Sequence, residues 1–396
     1  MTRPTPLAPD RDAPDGRAAG PSAAPGAPAG TGPVPRPRWC PATRLVLTVA
    51  VGWLLLVVGH RVFTGRWWFW LLPDLAPPLA YAVVPLLVAA AVPAARLLRR
   101  PLPARPRAVV LAATAGAFAL GLPHAGLHPA ALAGGDPPPV PAGALRVLVW
   151  NTGYWDQADE PDRFLRFLVD QRADLYLLQE YLHWDTTAGL AGARPVDAVD
   201  RLRAAFPGFT VVARGELLTV SRFPVLARPP VGPDAALPAD ADFGQVFTAA
   251  KVLRTDLRIG DRVLSAYNVH LPVQVNLAPH RFLDFVAERD RARRTQLRAL
   301  TADLAGNPYP VLVGGDLNTT PAMGDLRGLR DRLRDAADAG TDLHPVTWPA
   351  GPLPAWRLDW ALVSPTVRVH RYALDSPRGL SDHRTQTVLL SLPEEP

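Results

Sequence analysis

Between Arg44 and Leu127 the chain carries three apolar runs in series, and these constrain its folding more than any other feature. Leu45–Phe63 is interrupted only by His60 and Arg61 near its end. Leu75–Leu98 contains Pro85 and Pro93, which predict a kink. Ala108–Leu127 is rich in alanine and glycine. A helix needs about 20 apolar residues to cross the hydrocarbon of a bilayer, and each run comes close to that length. Trp67, Trp68 and Trp70 precede the second run, where interfacial aromatic residues belong. A cleavable signal peptide fits poorly, because a long tail precedes the first run and further apolar runs follow it.

Charge gives the expected orientation. Arg36, Arg38 and Arg44 flank the first run, and Arg96, Arg99, Arg100, Arg105 and Arg107 fill the stretch between the second and third. Only Arg61 and Arg66 lie between the first and second. The positive-inside rule then makes the N-terminal tail cytoplasmic, and three crossings export everything after Leu127. The chain as a whole carries a net charge of +6. Thirteen arginines and five aspartates precede Ala144, which leaves 29 basic residues against 31 acidic ones beyond it. The C-terminal part therefore lacks the cationic excess of a strongly DNA-binding domain. Its densest basic stretch, Arg289, Arg291, Arg293, Arg294 and Arg298, reads as a solvated helix face. Cys40 is the only cysteine, which excludes an intrachain disulfide and a cysteine-ligated zinc site.

Four parts follow. Residues 1–43, rich in Pro, Ala and Gly, predict a disordered cytoplasmic tail. Residues 44–127 form the membrane region with three helices. Residues 128–143, with the run GGDPPPVPAG, predict a stiff linker leading away from the membrane. Residues 144–396 read as a soluble α/β domain. Strands are expected at LRVLVWN, ADLYLLQE, Phe209–Ala213, Leu217–Val220, Phe247–Leu257, Val263–His270, Pro310–Gly315, Leu358–Ser364, Val367–Ala373 and Gln386–Leu392. Helices are expected over Asp162–Arg172, His280–Leu304 and Asp325–Ala337. Many strands with few helices predict stacked sheets covered by helices.

The strands of this domain end in polar groups. VLVWN ends in Asn151, LYLLQE in Glu180, and SAYNVH in Asn268 and His270. VLVGGDLN ends in Asp316 and Asn318. WRLDWALVS carries Asp359 inside an apolar run, and Asp382 and His383 stand just before the last strand. Any one of these could serve a turn, a cap or a surface ion pair. Asp359 is the hardest to treat so, because a carboxylate between Leu358 and Trp360 needs a partner once buried. Six such places in one order point to side chains aimed by rigid strands at a common point.

The motifs VWN, LLQE, NVH, GGDLNTTP, WRLDWALVS and LSDHR, in this order, resemble the endonuclease/exonuclease/phosphatase superfamily. This fold is shared by DNase I, abasic-site endonucleases, neutral sphingomyelinases and inositol polyphosphate phosphatases. GELLTVSRFPV and VTWP also resemble its Ser-Arg segment and Thr-Trp loop. The resemblance runs from about Leu145 to Leu392 and leaves out the apolar first third. It implies a four-layer α/β sandwich, two packed sheets flanked by helices, here preceded by three transmembrane helices.

The resemblance further implies a metal-dependent phosphoric ester hydrolase with Mg²⁺ or Mn²⁺ as cofactor. Glu180 is then the main metal ligand, with Asn151 beside it and Asp382 at the same or a second metal position. Asp316 orients or deprotonates the attacking water, and Asn318 offers an amide to the phosphoryl group. His383 contacts the phosphate with its tautomer fixed by Asp359, and His270 is a second phosphate-facing imidazole. Arg222 and Trp348 are expected in structural roles. The expected partners are the lipid bilayer and a phosphate ester, either a phospholipid headgroup, a small phosphoester or nucleic acid, and no protein partner is inferred. The expected location is the cytoplasmic membrane, multi-pass, with the catalytic domain outside. An extracellular nuclease of the DNase I type, or a ligand-binding ectodomain without catalysis, are the alternatives. Retention of Glu180, Asp316 and His383 speaks against the last.

Overall fold

The computed structural model describes residues 39–132, 139–155, 161–185, 192–274, 281–349 and 355–392. Residues 1–38 of the expected disordered tail and the centre of the expected linker lie outside these residues, whereas Pro41–Thr43, expected in that tail, begin the first helix. Residues 41–396 form one compact unit.

Among the described residues three helices are long and apolar enough to cross a membrane: Pro41–Phe63, Ala80–Leu97 and Ala104–His124, the last turn of which is 3-10. They pack on one another through small and branched side chains, among them Ala50, Val92, Val110 and Ala113. Their outer faces leave Leu45, Leu55 and Leu87 65% exposed, an apolar surface suited to lipid. The second helix runs unbroken across Pro85 and Pro93. The third begins earlier than expected, so Arg105 and Arg107 lie in its first turns.

The remainder contains two six-stranded sheets. In the first the order is Arg368–Asp375, Thr385–Ser391, Leu145–Asn151, Leu175–Gln179, Leu217–Ser221 and Thr210–Arg214. In the second it is Arg334–Asp335, Asp359–Val363, Val311–Asp316, Arg262–His270, Val252–Ile259 and Val225–Ala227. Each sheet is mostly antiparallel with one parallel pair at its centre, 145–151 with 175–179 and 311–316 with 262–270. These central strands are buried on both faces, which explains why they read as continuous apolar runs.

Val147, Val149, Leu177, Ala266, Leu312 and Val388 fill the space between the sheets. Helices Pro161–Asp170 and Val199–Ala205 cover the outer face of the first sheet through Phe164, Leu168 and Leu202. Helix Phe282–Gly306 covers the second sheet through Leu297 and Leu300. The result is the four-layer sandwich. Gly314 sits where the sheets come closest: a Cβ there would lie 2.8 Å from Val149 and 2.9 Å from Leu177. At Gly315, with φ +146°, a Cβ would fall 1.9 Å from the Val269 carbonyl. The paired glycines before Asp316 thus let the strand pass between its neighbours. Asn268 does not reach the site. It bridges the sheets, donating to the carbonyls of Leu178 and Leu218 at 3.0 Å and accepting from Gln179 at 2.6 Å.

Two elements differ from expectation. Phe243–Ala249 is a helix, opened by a capping box between Asp242 and Gln245, so the strand read as starting at Phe247 starts at Val252. The helix expected over Asp325–Ala337 breaks into a 3-10 turn, one α turn at Arg327–Arg330 and the edge strand Arg334–Asp335. The break frees Asp335 to take both prongs of the Arg357 guanidinium at 2.6 and 2.7 Å. Arg357 is 2% exposed and lies 4.0 Å over the Trp360 ring. Truncating Arg357 to alanine leaves the Asp335 carboxylate inside the protein without its partner. It is expected to cost about 3–5 kcal/mol. A chemical denaturation series on the full chain measures this, and a loss below about 1 kcal/mol, the scale of an exposed pair, contradicts it.

Candidate active site

The strand register assembles the site. Asp316 is paired across the second sheet with His270 on one side and Asp359 on the other. Residues in register share a face, so these three side chains form one row. In the first sheet Asn151 is paired with Gln179, and the chain turns at Glu180 with φ +59°. The two rows meet at the same end of the sandwich. Asn151 spans them, its amide donating to Glu180 Oε1 at 3.1 Å and to Asp316 Oδ2 at 3.0 Å. Its carbonyl oxygen accepts from Gly153 N at 3.0 Å. Glu180 Oε2 accepts from Tyr154 N at 3.1 Å.

Asp316 Oδ2 is the hub. His270 Nε2 lies 3.8 Å from it and His383 Nε2 3.9 Å. Asp316 Oδ1 accepts from Asn318 N at 2.8 Å, which stabilises Asn318 in a left-handed conformation with φ +46°. The Asn318 amide donates to the Leu271 carbonyl at 2.9 Å.

Each histidine is backed by a carboxylate. His383 Nδ1 stands 2.8 Å from Asp359 Oδ2, as expected. The Asp359 backbone is held by Thr347, whose hydroxyl accepts from the amides of Leu358 and Asp359 at 3.0 Å. His270 Nδ1 stands 2.9 Å from Glu216 Oε2, and Glu216 also pairs with Lys251. Sequence reasoning missed both Glu216 and Lys251. One signal was present: Lys251 is the only lysine in a chain otherwise basic through arginine.

Burial works against a charged imidazole at both histidines, yet the surrounding carboxylates prevail. Asp359 and Asp316 push His383 up to about 10, and Glu216, Asp316 and Glu180 push His270 up to about 9. Glu216 is driven upward by burial, but His270 and Lys251 hold it at about 2. Burial and the nearby Glu216 raise Glu180 above the usual carboxylate range.

The pocket thus sets the carboxylates of Glu180, Glu216, Asp316 and Asp359 against His270, His383 and Lys251, one carboxylate more than the cations match. Ligand atoms of Asp316, Asp359 and His383 lie within 4.8 Å of one another, and Asp359 Oδ1 is buried without a hydrogen-bond partner. An excess of hard oxygen donors, a carboxylate raised by burial and an orphaned oxygen fit a small divalent cation.

Asp382, expected as a metal ligand, is 67% exposed, with its Oδ1 4.0 Å from His383 Nε2 and its Oδ2 accepting from Trp348 Nε1 at 2.8 Å. It stands on the rim, because Ser381 ties to the Asn151 carbonyl at 2.8 Å and turns the next side chain outward. Trp348, expected under its loop, belongs to that rim, with its ring 6.4 Å from His383. Arg293, read as part of a solvated face, is buried and donates to the Leu317 carbonyl at 3.2 Å and to Thr319 Oγ1 at 2.6 Å. Arg222 keeps the structural role expected of it, bonding Asp174 at 3.0 Å.

The model of the Endonuclease/Exonuclease/phosphatase family matches residues 148–383. No curated protein matches the sequence significantly. Similar solved structures include an endonuclease/exonuclease/phosphatase from Bacteroides vulgatus, 19% identical, covering 63% of this chain and 99% of its own, with a TM-score of 0.46. Truncated Caenorhabditis elegans TDP2 is 19% identical over 62% of this chain and 97% of its own, TM-score 0.42. Sphingomyelinase C from Streptomyces griseocarneus is 18% identical over 62% and 99%, TM-score 0.42.

Proposed function

Because this chain belongs to the endonuclease/exonuclease/phosphatase family, we propose that it is a membrane-anchored, divalent-metal-dependent phosphoesterase working on the extracytoplasmic side. The observation that carries this reading is the row His270–Asp316–Asp359 facing Asn151 and Glu180. Glu180, with Asn151 beside it, would hold Mg²⁺ or Mn²⁺, and the orphaned Asp359 oxygen adds a further donor. When bound, the metal neutralises phosphoryl oxygens and polarises the ester.

The remaining work falls to side chains. Asp316 orients the attacking water and receives its proton. His270 and His383 turn their Nε2 atoms toward Asp316, placed to donate hydrogens to the phosphoryl oxygens as negative charge grows there. Asp359 holds the His383 ring in orientation through Nδ1, and Glu216 stands beside His270 Nδ1 as an ion-pair partner. Asn318 adds an amide donor once a substrate draws it from the Leu271 carbonyl.

Two observations favour a phospholipid headgroup or small phosphoester over nucleic acid. The charge beyond Ala144 is nearly balanced. The loop that follows Asp316 and Asn318 also touches the apolar helices directly, with His60 Nε2 2.7 Å from the Ala322 carbonyl. The test presents the purified full chain, with Mg²⁺ or Mn²⁺, with phospholipid vesicles, DNA, RNA and inositol phosphates. Turnover of lipid or a small ester is the expected result. Turnover of DNA or RNA alone moves the assignment to a nuclease, and turnover of none discards the hydrolytic reading. For topology, alkaline phosphatase fused after Gly143 is expected to be active in cells; an inactive fusion overturns the extracytoplasmic placement.

A further inference from the structure

We propose that His60, on the first apolar helix, is a positioning residue for the catalytic pocket: by holding the Ala322 carbonyl it fixes the segment Leu317–Gly324, which directly follows Asp316 and carries Asn318. The proposal rests on the reading of Asp316 and Asn318 as catalytic.

The segment is strained where it starts. Asn318 is left-handed and keeps that conformation only if the chain around it is held. The sandwich holds the first part. Leu317 N donates to the Leu358 carbonyl at 3.1 Å, Arg293 grips Leu317 and Thr319, and Trp360 Nε1 donates to the Thr319 carbonyl at 2.8 Å. Gln274 donates to the Asn318 carbonyl at 2.5 Å.

The membrane region holds the second part. His60 Nε2 lies 2.7 Å from the Ala322 carbonyl, 262 residues away in the chain. Thr64 Oγ1 accepts from Gly324 N at 2.8 Å. Ala322 packs with Val57, Tyr81 and Ala117 of the three helices. Gly126 lies so close to Pro321 that a Cβ there would stand 3.0 Å from its ring.

The helix end is wired for this contact. A carbonyl only accepts, so His60 carries its hydrogen on Nε2. Its Nδ1 is met by Tyr81 OH at 2.8 Å and Trp70 Nε1–H at 3.3 Å. Asp74 Oδ1 lies 3.1 Å from the same nitrogen, and Asp74 Oδ2 accepts from Thr64 Oγ1 at 2.9 Å. The buried Asp74 carboxylate therefore backs Thr64 directly, while Tyr81 and Trp70 hold the His60 ring. His60, Thr64, Asp74 and Ala322 are all buried. Mere adhesion between apolar helices and a loop would need no buried polar groups, whose desolvation is costly. Directional hydrogen bonds add a fixed register for the loop, and a displacement of 1 Å in a catalytic group costs about 10²-fold in rate.

The test uses the full chain in detergent micelles, comparing wild type with His60→Ala and His60→Gln, the latter able to present an N–H near the same place. Amide hydrogen exchange is followed by mass spectrometry, and kcat and KM are measured on bis(4-nitrophenyl) phosphate with Mn²⁺. In His60→Ala, exchange across residues 317–326 is expected to quicken about tenfold or more while strand 145–151 is unchanged. kcat should fall about tenfold or more with KM within about twofold, because positioning rather than binding is lost. His60→Gln should recover most of both. Unchanged exchange, an unchanged kcat, an effect confined to KM, or a Gln variant no better than Ala would each overturn the proposal. If His60→Ala does not fold, Thr64→Val is put through the same two measurements with the same expectations. Should the wild type hydrolyse nothing, the phosphoesterase reading falls and hydrogen exchange alone decides whether the helices hold the loop.

Discussion

Replacing Asp316 with alanine is expected to lower kcat for phosphodiester hydrolysis by at least about 10²-fold, the scale of a lost general base or oriented nucleophile. The expectation follows from how much converges on one oxygen. Asp316 Oδ2 accepts from Asn151 and lies within 4 Å of the Nε2 atoms of both histidines. Its removal takes from the Asn151 amide one of its two acceptors, and from both imidazoles a carboxylate that lies within 4 Å. The other oxygen holds Asn318 N, so the loop loses a bond as well, worth about 1 kcal/mol of stability. That loss is too small to unfold a domain of this size, and a melting curve separates it from the catalytic effect. Asp316→Asn, which keeps the shape and loses the charge, should be nearly as slow. A rate within a few-fold of wild type in either variant removes Asp316 from the chemistry.

The second large effect concerns the metal. EDTA is expected to abolish hydrolysis, and Mg²⁺ or Mn²⁺ to restore it. Glu180→Ala should raise the concentration of Mg²⁺ needed for half-maximal rate by at least about 10²-fold, more than the loss typical of an outer-sphere partner. Among the described residues the Glu180 carboxylate accepts from Asn151 and Tyr154 N, with His270 Nε2 3.9 Å away, and burial near Glu216 makes its charged form costly. A carboxylate held in such a place gains by meeting a cation. Activity that survives chelation would remove this mechanism while leaving the fold intact.

Much of this was legible in the sequence because strands announce themselves twice here. The runs VLVWN, LYLLQ and VLVGG are apolar on both faces, and each ends abruptly in the polar group that does the work. His270, Asp316 and Asp359, read as candidates from separate segments, occupy one register row. Asp382, in the loop before the last strand, lies on the rim beside His383, because a loop residue is not aimed by the alternation of a strand.

The illegible parts share a cause, which is that their partners are distant. Leu326, Leu329, Leu333 and Ala336 have helical spacing, yet the segment breaks so that Asp335 can meet Arg357. Glu216 looks like a turn residue before a strand until His270 and Lys251 close over it. Arg293 is hidden among neighbouring arginines and is distinguished only by the loop it grips. The expected linker after His128 does not keep the regions apart: His128 N donates to the Leu343 carbonyl at 2.8 Å and its ring meets Asp338 at 2.9 Å.

The convergence of these side chains on a single cation is tested most directly by soaking crystals of the protein in Mn²⁺ and collecting at a wavelength where manganese scatters anomalously. A peak within bonding distance of the Glu180 carboxylate, inside the pocket that Asp316 lines, is the predicted result. No peak at saturating Mn²⁺, or peaks only at other carboxylates of the surface, would contradict it.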